Sequence, residues 1–76
     1  MKIKYDNNNT IGNNIRRIRI ERDMGQTALA RELQLIDVDM TRETLVKIER
    51  GVQHIQLEQL QAIKKILKTS YEELLE

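Results

Sequence analysis

Residues 26–51 read QTALARELQLIDVDMTRETLVKIERG, and this stretch decides the fold. Two runs of helix-forming residues flank an Asp-containing centre. In the first run Leu29, Ala30 and Leu33 recur at the three- and four-residue spacing of one helical face. Gly25 can N-cap that helix, which is expected to start near Gln26 and to end between Gln34 and Ile36. Ala30 is small and lets another helix approach closely. Ile36 to Met40 form a connection in which Val38 and Met40 are expected to tuck inward, beside Asp37 and Asp39. Thr41 then caps the second run, whose apolar stripe is Leu45 and Ile48. Its capping box is loose, because Thr44 stands where Glu or Gln would reach back to the cap. Gly51, directly after Arg50, suits the left-handed residue that closes many helices.

Working outward, Ile11, Ile15, Ile18 and Arg22 share a face and predict a helix from Ile11 to Asp23. Thr10 can cap it, and Met24-Gly25 is expected to break it. Residues 1–10 are expected to be a flexible N-terminal arm. There Ile3 and Tyr5 alternate with Lys2 and Lys4 over too short a run for a strand, and Asp6, Asn7, Asn8 and Asn9 favour turns. Downstream, Leu57, Leu60, Ile63, Ile66 and Leu67 predict a helix over Gln56 to Leu67. Ser70 and Glu73 have the spacing of a capping box for a short last helix, with Leu74 and Leu75 as its apolar face. The fold class is therefore all-α, a bundle of five short helices over residues 11–76.

Composition removes several function classes. The chain has 76 residues, no Cys, no Pro and a single His, His54. Disulfides, thiolate zinc sites, cysteine nucleophiles and an all-histidine metal site within one chain are excluded. No stretch approaches the roughly 18 apolar residues of a membrane span, and Met1 to Thr10 lacks the apolar segment of a signal peptide. A cytoplasmic location is expected. Tyr5 and Tyr71 are the only aromatics, too few to stack single-stranded nucleic acid. The net charge is only +1, yet it is unevenly spread. Arg16, Arg17, Arg19 and Arg22 crowd the front, and Glu72, Glu73 and Glu76 the tail. An enzyme is not expected, since there is one Ser and no pair of carboxylates in a credible cleft. Asp37 and Asp39 could hold a cation weakly but lack further ligands at calcium-loop spacing. No cofactor is expected. The starting Met1 and the amphipathic closing helix suit a complete small protein.

Four motifs in order carry a resemblance. They are Ile11-Gly12-Asn13-Asn14-Ile15-Arg16-Arg17-Ile18-Arg19, Gln26-Thr27-Ala28-Leu29-Ala30-Arg31-Glu32-Leu33, Thr41 to Gly51 with its closing Ile48-Glu49-Arg50-Gly51, and Leu60 to Leu75. Together they resemble the phage repressor/Cro-type helix-turn-helix family, also called the xenobiotic-response-element family. The connection before Thr41 is about five residues longer than the usual tight turn, as in one branch of that family. The resemblance implies sequence-specific binding of double-stranded DNA by a small transcriptional regulator, a repressor, with the third helix in the major groove. A repressor-like five-helix bundle and a homodimer are implied with it. Val52-Gln53-His54 stand where the family often carries Lys or Arg for phosphate, which weakens the expected grip.

Candidate DNA-binding residues follow from the outer faces. With Leu45 and Ile48 turned inward, Thr41, Arg42, Glu43, Thr44 and Lys47 are left outside. Arg42 can fork onto a guanine edge, Lys47 can donate to guanine or phosphate, and Glu43 can accept from a cytosine amino group or repel phosphate. The resemblance matches Arg42, Glu43 and Lys47 to base-contacting positions. Gln26 and Thr27 begin the second helix, where free N–H groups can hold a phosphate, and the resemblance gives Gln26 that clamp. The resemblance also pairs Arg19 with Glu49 as a partly buried structural ion pair. An alternative stays open: a helix-turn-helix protein-interaction module, such as an antitoxin or docking domain, with a protein partner in place of DNA. Lys2 and Lys4 could track a groove, and Tyr71, Leu74 and Leu75 could form a dimer seam or simply cap the core.

Overall fold

The computed structural model describes residues 3–76, with side chains from Thr10 onward. Among the described residues there are five helices and no strand: α1 (Ile3–Glu21), α2 (Gln26–Leu35), α3 (Arg42–Glu49), α4 (Leu57–Leu67) and α5 (Tyr71–Leu75). The all-α expectation holds. The first helix begins at Ile3 and not at Ile11, so Thr10 lies inside it and caps nothing. The expected contributions of Ile3, Tyr5, Lys2 and Lys4 concern side chains outside the described ones.

One core unites the elements. It takes Ile15 and Ile18 from α1, Leu29, Ala30 and Leu33 from α2, Leu45 and Ile48 from α3, Leu60, Ala62, Ile63 and Leu67 from α4, and Leu74 from α5. Val38 and Met40 do turn inward from the connection. Two expected core leucines do not. Leu57 lies six residues before Ile63, which is ~120° round an α-helix, so it faces away and is 67% exposed. Leu75 follows buried Leu74 by one residue and is likewise turned out.

The ends of α1 to α4 share one device. After α1, Asp23 adopts a left-handed φ of 57°. Its N–H reaches Ile20 O at 2.9 Å, and the Met24 N–H reaches Arg19 O at 3.1 Å. The same paired closure recurs at Asp37, Gly51 and Lys68, each at positive φ. It satisfies carbonyls that the helix leaves without partners. Only Gly51 is a glycine, so α1 ends at Asp23 and not through Gly25, whose backbone is extended at φ −80°, ψ 167°. At α4 the closing carbonyls gain a further donor. Arg22 Nε donates to Leu67 O at 2.8 Å, and its Nη2 to Lys68 O at 3.2 Å. Arg22 is exposed, and its guanidinium caps the end of α4.

Helix starts follow local chemistry. Thr41 Oγ1 accepts from the Thr44 N–H at 3.1 Å, and Ser70 Oγ from the Glu73 N–H at 3.1 Å. The box at Ser70 is only half made, because the Glu73 carboxylate takes the Thr69 hydroxyl instead. Asn14 Nδ2 donates to Leu74 O at 2.9 Å and ties the last helix to the first.

Candidate nucleic-acid interface

α3 has eight residues, too few to persist alone in water, where isolated helices shorter than ~12–15 residues are marginal. Packing therefore holds it. Leu45 and Ile48 are buried to within 1% on its inner face. Arg42, Glu43 and Lys47 lie exposed on the outer side. Among the described residues, no hydrogen bond or ion pair engages these three side chains. Thr41 and Thr44 share the cap, with the Thr41 hydroxyl 3.0 Å from Thr44 Oγ1. Thr44 so takes a different part from the reaching-back residue of a capping box.

The inner end of α3 is pinned by charge. Arg19 Nε donates to Glu49 Oε2 at 2.8 Å and Arg19 Nη2 to Glu49 Oε1 at 3.0 Å, a two-pronged pair. Both side chains are nearly buried, at 8% and 2% exposure. Arg19 Nη1 also donates to Met24 O at 2.9 Å. Gln26 Nε2 donates to Glu49 Oε1 at 3.0 Å. One carboxylate thus gathers α1, the start of α2 and the end of α3. Gln26 directs one amide N–H to this buried acid, which leaves the second N–H of the same group for a phosphate.

The start of α2 is otherwise open. Gly25 offers no side-chain cap, and no acidic residue lies in the first turn. By contrast α3, α4 and α5 each carry Glu there. The first-turn N–H groups and the exposed Thr27 are therefore available to an anion.

The family model described as Helix-turn-helix matches residues 15–74. The chain belongs to this helix-turn-helix family. It is of the phage repressor/Cro type, a type of domain that binds DNA in transcription regulation. No curated protein and no solved structure gave a match. In helix-turn-helix terms α2 and α3 are the paired helices, and residues 36–41 are the turn between them.

That turn is longer than a tight one, and two glutamines hold it. Gln34 Nε2 donates to Met40 O at 2.6 Å, and Gln59 Nε2 to Asp39 O at 2.9 Å. Sequence reasoning passed over both, because a glutamine on a helix reads as surface. It also passed over Gly12, where a Cβ would lie 2.2 Å from Ile48 O and 2.8 Å from Glu49 O. A glycine inside an apolar helical stripe was the available signal, since it costs ~1 kcal/mol against Ala unless a neighbour needs the space. Asp37 and Asp39 are exposed, and no group of three metal-ligating residues exists among the described residues. His54 is an exposed loop residue. No described helix is long and apolar enough to cross a membrane.

Proposed function

We propose that the protein is a sequence-specific double-stranded DNA-binding repressor that lays α3 in the major groove. The observation that carries this is the division of α3 into two faces. Its inner face is locked by Leu45, Ile48 and the Arg19–Glu49 pair, while Arg42, Glu43 and Lys47 project outward without internal partners. A rigid helix with long polar side chains on its free face is what base reading in the major groove requires. Arg42 would fork onto guanine O6 and N7, Glu43 would accept from a cytosine amino group, and Lys47 would meet guanine or phosphate. Thr41 and Thr44 would add hydroxyls to the backbone or to base edges. Thr27 and the open start of α2 would hold a phosphate, with the second N–H of the Gln26 carboxamide, beside the one given to Glu49, as a further donor. The protein would act as a cytoplasmic homodimer on half-sites ~34–36 Å apart.

Fluorescence anisotropy on a random-sequence duplex at two salt concentrations tests the reading, followed by selection of the preferred duplex. Binding should weaken steeply with salt, as counterions released from phosphate require. Arg42→Ala should cost ~1–3 kcal/mol on the selected duplex, and Lys47→Ala should weaken binding on all sequences if it meets phosphate. Wild-type affinity in both variants, or no binding at low salt, would overturn the assignment; the latter would favour a protein partner.

A further inference from the structure

The outer end of α3 begins directly after two carbonyls, Asp39 O and Met40 O, that lie in the long turn. Each is taken by a different helix: Met40 O by Gln34 of α2, and Asp39 O by Gln59 of α4. Gln59 is 6% exposed and sits on the apolar face of α4 beside Ala62 and Ile63. Its carboxamide works at both ends. Oε1 accepts from the Gln56 N–H at 2.9 Å, and Nε2 donates to Asp39 O at 2.9 Å. An amide side chain offers an acceptor and a donor on one planar group at neutral pH. An ionised glutamate accepts at both oxygens, and an apolar residue does neither. At a site this buried, water is poorly placed to replace the lost bond.

We propose that Gln59 is a positioning residue for DNA recognition: its buried carboxamide fixes the turn at Asp39 and thereby sets where Arg42 and Glu43 meet the bases. This rests on the DNA-binding reading above. Gln59 touches no DNA in this scheme. It acts through the Asp39–Thr41 backbone, with α4 as the fixed reference. A free turn would let the first turn of α3 shift, which blurs sequence choice while leaving phosphate attraction intact.

The test uses the full chain with Gln59→Glu and Gln59→Met, and two probes: the duplex best enriched from a random library by the wild type, and a random-sequence duplex. Each variant is first checked for wild-type helical content. At pH ~8, Gln59→Glu should lower the ratio of selected to random affinity about tenfold, the scale of one unsatisfied buried acceptor. The ratio cancels the added negative charge. At pH ~5, near the range where a buried glutamate gains its proton, a carboxyl O–H can donate to Asp39 O while the other oxygen still accepts from Gln56. The ratio of that variant should then recover toward the wild type measured at the same pH. Gln59→Met should lose the ratio at both pH values. A folded Gln59→Met that keeps the wild-type ratio would overturn the proposal. In the free protein, the Gln56 amide should exchange slowly in the wild type and faster in Gln59→Met; equal rates would also overturn it. If the wild type enriches no duplex, the DNA-binding reading fails and the positioning role with it, while the amide exchange still reports whether Gln59 accepts from the Gln56 N–H.

Discussion

Removing Glu49 should be among the most damaging single changes to this chain. Its carboxylate accepts from Arg19 Nε, Arg19 Nη2 and Gln26 Nε2 within 3.0 Å, and its side chain is 2% exposed. Glu49→Leu would leave the Arg19 guanidinium, itself 8% exposed, with Met24 O as its remaining acceptor. Stranding one partner of a buried pair costs ~3–5 kcal/mol. A chain of 76 residues commands ~4–11 kcal/mol in total at the usual ~0.05–0.15 kcal/mol per residue. The single change should therefore remove much of the stability, a fall in Tm of roughly 12–40 °C at ~4–8 °C per kcal/mol. Arg19→Met should do similar harm by stranding the carboxylate. The double variant should be far better than the sum of the two, because apolar residues of similar volume repack a buried ion-pair site at little net cost. Urea unfolding followed by circular dichroism gives the four corners of this cycle. A coupling of ~3 kcal/mol or more is expected. Single variants that each lose under ~1 kcal/mol, with an additive double, would mean that the pair behaves as a solvated surface contact, and the account of α3 as a charge-pinned helix would fall.

Two further substitutions probe the backbone. Gly12→Ala would stabilise an ordinary exposed helix by ~1 kcal/mol, but here the new Cβ would meet Ile48 O at 2.2 Å, and overpacking should destabilise by ~1–3 kcal/mol or more. Thermal unfolding decides it, and an unchanged or raised Tm would refute the close crossing of α1 and α3. Lys68→Gly should stabilise by ~0.5–1 kcal/mol, because Lys68 closes α4 at φ 54°, a conformation that glycine adopts without penalty. A higher urea midpoint at constant slope would bear this out, and a lower one would show that the Lys68 side chain contributes something beyond its backbone.

What the sequence made legible was whatever rests on periodic apolar residues and on strong local signals. α2 and α3 begin where Gly25 and Thr41 said they should, and Gly51 ends α3, since each choice is decided within a few residues. The start of α1 was not legible. Asn7, Asn8 and Asn9 favour turns, yet each costs a helix less than ~0.7 kcal/mol, and extending an existing helix needs no new nucleus. The stops at Asp23 and Lys68 were hidden because nothing in a non-glycine residue announces positive φ. Leu57 misled because hydrophobicity was weighed without its angle round the helix. Gln59 was hidden for the opposite reason: its burial depends on a carbonyl 20 residues away in the chain.

The polar residues and the close crossing around α3 share a purpose in the packing. α3 brings only Leu45 and Ile48 as apolar anchors, and two side chains on one short helix leave it free to slide or pivot. Its far end is stopped by the Gly12 crossing and the Arg19–Glu49 pair, and its near end by the turn that Gln34 and Gln59 hold. Hydrophobic burial has no direction and could not fix a register so finely. Hydrogen bonds and a close backbone crossing can, because they fail over a few tenths of an ångström. The polar groups sit at the two ends of α3, where its position is decided, and the core supplies the free energy between them. The outer face then bears no structural duty, so Arg42, Glu43 and Lys47 can vary with little effect on folding. A scaffold built this way can change the side chains of that face without changing how it stands.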